Sequence, residues 1–204
     1  MMNDERLSEC IANACRGDER AMEAIFQRHS PAVFRMAAGL LNDAEDAEEV
    51  TQDTFVYALR NLSRYDPSRS AFQTWLFTIA ISRCRNKRRR KWLATMPLSL
   101  FTRRESGGSQ SLRSLEDWLA ARGVQRELWA AVQTLSPKLR EAVVLRFLAG
   151  MSYAEIGEAA GCGARAAESR VRTGITALRQ QFAARGVTQD EWLEAIVEAR
   201  PSGS

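Results

Sequence analysis

The chain has 204 residues, 45% hydrophobic and 26% charged, which suits one large or two small folded domains and excludes a disordered chain. Four cysteines without a CxxC pair and a single histidine, His29, argue against a zinc site or a disulfide framework; no metal or cofactor is expected, and reduced thiols are the default. Net charge is only +4, but it is sorted into blocks of opposite sign, which points to two surfaces with different partners.

Periodicity near 3.6 runs through almost every segment and no convincing strand pair is present, so the expectation is all-α. Leu7, Ile11, Ala14 and Cys15 predict a first amphipathic helix, stopped by Gly17. Asp18 caps the next, with Met22, Ile25 and Phe26 at helical spacing. Ser30-Pro31 either opens a new helix or kinks this one, and Val33, Phe34, Ala37, Leu40 and Leu41 continue the apolar stripe. Asn42 and Asp43 make a turn and cap before a helix through about Leu62, with Val50, Phe55 and Leu59 on its buried side. Asp43, Glu45, Asp46, Glu48, Glu49 and Asp53 form an acidic block with no base among them, and carboxylates in the first turns complement the helix dipole. Residues 63–70, with Asp66-Pro67, read as a loop.

The following helix carries Phe72, Trp75, Leu76, Phe77 and Ile79, then a run at 83–91 with seven positive charges in nine positions and no acid. Ser82, Arg85, Asn86 and Arg89 share one face. Asn and Ser hydrogen-bond base edges, while Arg reaches phosphate or stacks on bases. Phe72, Leu76, Ile79 and Arg83 make the adjacent stripe, and for Phe72 and Trp75 core packing is favoured over lining for an unstacked base. Tyr65, Arg69 and Ser70 lie in the preceding loop, where an extruded base can be held. Residues 1–92 thus make a four-helix domain. Residues 93–125, with Pro97, Gly107, Gly108 and several serines, read as a flexible linker whose far end Trp118, Leu119 and Val124 can anchor.

Leu128, Trp129, Val132 and Leu135 open a second domain, 126–184. Ser136 with Pro137 starts a helix carrying Leu139, Val143, Leu145 and Phe147, which Gly150 stops. Ser152 and Glu155 form a capping box for a short helix with Ile156 and Ala160 inside. Gly161 ends it in a left-handed turn, and a longer helix begins near Gly163. Ala164, Ala167, Val171, Ile175, Leu178 and Phe182 fall on one stripe of that helix; Arg165, Ser169, Arg172, Thr173 and Thr176 point the other way. Arg170 adds a third early arginine, and Glu168 is placed beside the apolar stripe as a structural residue. An apolar back with small or basic residues early in the helix is what a groove-reading helix needs. Residues 185–204 add an amphipathic extension with Trp192, Leu193, Ile196 and Val197, for which capping of the domain is favoured over partner binding. The polar, acidic residues 1–6 predict no signal peptide, and the longest uncharged run, 70–82, is too short and polar to span a bilayer. The expectation is a cytoplasmic protein without membrane insertion.

Residues 42–55, 64–70, 72–80 and the basic run resemble region 2 of extracytoplasmic-function (ECF) RNA polymerase sigma factors. Residues 135–147, 151–157 and Ser169-Arg170 resemble region 4 of the same family. The resemblance implies two small helical domains on a linker and a role in transcription initiation. It implies that Asp46, Glu49, Gln52 and Asp53 dock on the clamp helices of the polymerase β′ subunit. The loop from Tyr65 and the helix through Arg90 (Arg69, Ser70, Ser82, Arg83, Arg85, Asn86, Arg89 and Arg90 among them) would open the −10 element and hold flipped bases. The C-terminal module, through Arg165, Ser169, Arg170, Arg172, Thr173 and Thr176, would read the −35 duplex and touch the β flap. An anti-sigma factor is a frequent partner in the family. Ser82 and Asn86 stand where the family often has Asn and Asp, which leaves the base preference of the −10 helix open; Glu168, Thr173 and Gly174 stand where it is often basic or alanine, which implies an unusual or weaker −35 contact.

Two other readings compete. A stand-alone helix-turn-helix regulator would bind a palindromic duplex by itself, using the N-terminal half for interaction or dimerisation, but has no need of a basic-aromatic platform. A nucleic-acid-processing enzyme would need a catalytic cluster; one histidine, no metal-spaced ligands and no phosphate-cradling glycine loop leave that chemistry without a seat, and no catalytic residue is assigned.

Overall fold

The computed structural model describes residues 4–95 and 123–183, and they fall into two compact units with helices as their only regular structure. In chain order, α1 spans Asp4–Cys15, α2 Glu19–Leu41, α3 Ala44–Arg60 and α4 Phe72–Thr95, with one 3-10 turn at Leu62–Arg64; the first unit takes α2 as far as Ala37 and α3 from Glu45. Asp18 caps α2 as its side chain accepts from the backbone N–H of Arg20 at 2.9 Å and of Ala21 at 3.3 Å. Pro31 lies inside α2, which continues through it to Leu41. Asn42 takes a left-handed conformation (φ 55), turning the chain sharply into α3; Asn tolerates it better than most residues.

The core of this unit gathers Ile25 and Val33 from α2, Val50 and Phe55 from α3, and Phe72, Leu76, Phe77 and Ile81 from α4, each at most 2% exposed. Phe26 meets Phe55 edge-on at 4.9 Å between ring centres, pinning α2 to α3. Leu59, expected on the buried side of α3, is half-buried.

In the second unit, α5 spans Gly123–Thr134, α6 Pro137–Phe147, α7 Tyr153–Ala159 and α8 Ala164–Ala183. Ser136 stands at the N-cap of α6 with no side-chain capping bond, and Pro137 supplies the preset first turn. The capping box of α7 is complete: Glu155 N–H donates to Ser152 Oγ, and the Ser152 N–H donates to Glu155 Oε2 at 2.8 Å. Gly161 (φ 62) makes the left-handed turn that sends the chain into α8. α8 lies across both α6 and α7 and buries Ala167, Val171, Leu178 and Phe182, while Val143, Leu145 and Ile156 are buried on α6 and α7. Ala164, expected on that stripe, is exposed because it is the first residue of the helix.

α4 and α5 each reach three residues into the expected 93–125 linker. The rest of that linker, with Trp118 and Leu119, and the C-terminal extension lie outside the described residues. Among the described residues no helix is long and apolar enough to cross a membrane, and no cluster of His, Cys, Asp and Glu has metal-binding geometry.

Candidate protein and nucleic-acid interfaces

The acidic and basic blocks, about forty residues apart in sequence, meet across α3 and α4. Lys87 Nζ lies 3.3 Å from Asp46 and also binds Glu49; Lys91 binds Asp46; Arg83 lies 3.7 Å from Asp53. Asp46 is only 7% exposed, so this carboxylate faces the basic helix rather than solvent. Partial burial alone would lower the pKa of the Lys87 ammonium, but its hydrogen bonds to Glu49 and Asp46, and their charges, outweigh that and hold it above the ordinary lysine value. Arg83 also sits over the Tyr57 ring, 5.2 Å from its centre, so its guanidinium is turned towards α3. Arg83, Lys87 and Lys91 are therefore matched internally. Gln52 and Asp53 are exposed, followed one turn later by Val56 and Tyr57, large apolar side chains 51% and 38% exposed. On α4, Ser82, Asn86, Arg89 and Arg90 are exposed, while Arg85 is half-buried.

The loop into α4 is a closed structure. Tyr65 Oη donates to the Ser70 carbonyl at 3.1 Å, tying its two ends. Asp66 accepts from the Ser68 N–H at 2.9 Å and from the Ser68 hydroxyl at 2.7 Å; those bonds hold its carboxyl below the usual carboxylate range. The Tyr65 ring packs edge-on against Phe72 at 5.0 Å and tilted against Trp75 at 5.5 Å, and Phe72 meets His29 edge-on at 5.3 Å. Phe72 is 2% exposed, so it is core; Trp75 is half-buried. Arg69 is exposed at the loop tip and Ser70 half-buried. His29 is 5% exposed and its Nε2 finds no hydrogen-bond partner among the described residues. Burial first, then the nearby Arg28 charge, lowers its pKa to about 4.

α8 presents a different surface. Arg165, Ser169, Arg172, Thr173 and Thr176 recur at helical spacing and all are exposed; Arg170 is half-buried. The Thr176 hydroxyl donates to the Arg172 carbonyl at 3.0 Å, leaving its lone pairs outward. Glu168, assigned beside the apolar stripe from the sequence, is exposed instead: the buried positions are Ala167 and Val171, and Glu168 falls outside the arc they define. Gly174, part of an unusual contact by resemblance, is buried against α6, where an added Cβ would come 2.6 Å from Val143 Cγ2. It serves close helix approach, not groove contact.

Sequence spacing exposed neither the pairing of Lys87 and Lys91 nor the outward turn of Val56 and Tyr57. The latter continue the exposed arc of Gln52 and Asp53 at helical spacing, the one signal that would have found them.

A family model for sigma-70 region 2 matches residues 25–94, and one for sigma-70 region 4 matches residues 125–178. RNA polymerase sigma factor CarQ of Myxococcus xanthus is 32% identical over 80% of this chain and 90% of that protein. ECF RNA polymerase sigma factor SigC of Mycobacterium tuberculosis is 30% identical over 86% of this chain and 91% of that protein. The chain belongs to the ECF branch of the sigma-70 family. Among solved structures, CnrH in complex with the cytosolic domain of CnrY is 25% identical, with a TM-score of 0.59 over 86% of this chain and 96% of that one. The sigma factor RpoE of Bartonella quintana, 23% identical with a TM-score of 0.58, covers 78% of this chain and 94% of its own and shares the fold. In this ECF sigma factor, α3 and nearly all of α4 lie in the region 2 match; α6, α7 and most of α8 lie in the region 4 match.

Proposed function

We propose that this sigma factor binds core RNA polymerase through the exposed arc of α3, opens the −10 element with the 65–70 loop and α4, and reads the −35 duplex with α8. The observation that carries this reading is an ordered pair of units in one chain. The region 2 unit exposes Ser82, Asn86, Arg89 and Arg90 on α4, and the region 4 unit exposes Arg165, Ser169, Arg172, Thr173 and Thr176 on α8. Polymerase docking on the β′ clamp helices falls to Gln52, Asp53 and the outer edge of Glu49; Asp46 is buried against α4 and supports the helix pair instead. Region 4 would also touch the β flap.

The role is binding, not catalysis. Taking a base out of the stack costs a few kcal/mol, and contacts to the separated strand offset it. The polymerase supplies the bond chemistry, in the cytoplasm. An anti-sigma factor covering the same surfaces belongs to the proposal, supported by CnrH having been solved with the cytosolic domain of another protein.

Adding the chain to core polymerase is expected to produce initiation at discrete sites. No association with core at moderate salt ends this reading, and tight binding to a palindromic duplex without polymerase favours a stand-alone regulator. Asp53→Arg is expected to weaken core binding without unfolding the protein, since Asp53 is exposed. Arg89→Glu is expected to spare core binding and impair strand opening.

A further inference from the structure

We propose that Glu168 reads a base in the upstream duplex, accepting a hydrogen bond from the exocyclic amino group of a cytosine in the major groove. The inference rests on α8 being the recognition helix. Glu168 is the fifth residue of α8, in the N-terminal part that such helices turn towards base edges, and it is exposed. It lies one turn after Arg165 and one turn before Arg172, both exposed, yet no ion pair holds it among the described residues. Its carboxylate is thus available beside two cations suited to phosphate.

A negative charge on this surface weakens every phosphate contact, so it brings a gain only where DNA offers a donor. In the major groove guanine shows two acceptors and thymine one, so both repel a carboxylate. Adenine shows a donor next to the N7 acceptor. Cytosine N4 offers a donor with no acceptor beside it on the same base, and is the partner Glu takes. Glu168 therefore trades general affinity for discrimination at one base pair.

The test uses holoenzyme assembled from the full chain and core polymerase, on promoter duplexes taken from a mapped start site with the upstream element randomised. Transcripts are sequenced to read base preference. Wild type is expected to favour cytosine at one upstream position by about five- to tenfold, the size of one good base contact. Glu168→Ala is expected to flatten that position alone and to bind unrelated duplex more tightly; Glu168→Gln is expected to shift it towards adenine. The exposed site makes both variants stable, which a thermal midpoint checks. An unchanged cytosine preference in Glu168→Ala, or a uniform gain in binding with no change at any position, overturns the proposal. Wild-type holoenzyme that initiates without any upstream preference overturns it too while leaving the sigma function standing; failure to initiate at all overturns the proposed function itself.

Discussion

α4 and α8, the two helices proposed to meet nucleic acid, hold their arginines in opposite ways. α4 lies along an acidic helix, and three of its cations, Arg83, Lys87 and Lys91, are matched to Asp53, Glu49 and Asp46. α8 packs its apolar stripe, with Gln181 bonded to Thr134 of α5, while Arg165, Ser169, Arg172, Thr173 and Thr176 stand in solvent. Charge density along the chain therefore overstates what α4 can give a ligand and states fairly what α8 can give. In α4 charge also sets the architecture; in α8 it is left in solvent.

The contrast breaks most visibly at Asp46. Removing this buried carboxylate leaves Lys87 short of its inner partner, so Asp46→Ala is expected to cost about 2–4 kcal/mol in denaturant unfolding. The exposed Asp53, at 3.7 Å from Arg83, is expected to cost less than about 0.5 kcal/mol as Asp53→Ala. Equal losses would mean that burial does not distinguish the two rungs.

Acid destabilises the first unit through His29. His29 has a folded pKa of about 4 against an ordinary value of 6.5, so the unfolded chain takes the proton first. Its contribution is fully present above pH 6.5 and is lost as pH falls towards 4, by about 3 kcal/mol at most. Thermal melts of His29→Phe are expected to lose stability less steeply than wild type across that window. Parallel curves would show that His29 titrates alike in both states.

Tyr65→Phe removes the hydroxyl that closes the loop but keeps the ring against Phe72 and Trp75. Holoenzyme carrying it is expected to bind a single-stranded −10 oligonucleotide about five- to tenfold more weakly, with core affinity unchanged. The smallest effect is on salt dependence. Arg172→Ala is expected to lower the slope of log affinity against log salt by about 1, whereas Lys87→Met, already matched to acids, is expected to leave it unaltered.

Helices and caps were legible because their signals are local. The Ser152–Glu155 capping box, the Gly161 turn and the apolar stripe of α8 are all decided within a few residues. Pro31 was ambiguous because proline suits both a first turn and a tolerated interior, and only packing of α2 on its neighbours decides. The partners of Asp46 were illegible because Lys87 and Lys91 arrive from another helix, and no spacing rule predicts which rows meet. Glu168 directly follows the buried Ala167, and spacing alone does not show that the buried arc stops short of it. Tyr65 and Ser70 were recognised as loop residues, but not as bonded to each other.

Permanganate footprinting of holoenzyme at its mapped start sites tests the central claim most directly, with wild type and Arg89→Glu compared at equal core occupancy. Unpaired thymines in the −10 region of wild type, lost in Arg89→Glu while core binding holds, are expected. No unpaired thymines in wild type, or loss of core binding in the variant, would contradict the assignment of α4 to the opened strand and α3 to the polymerase.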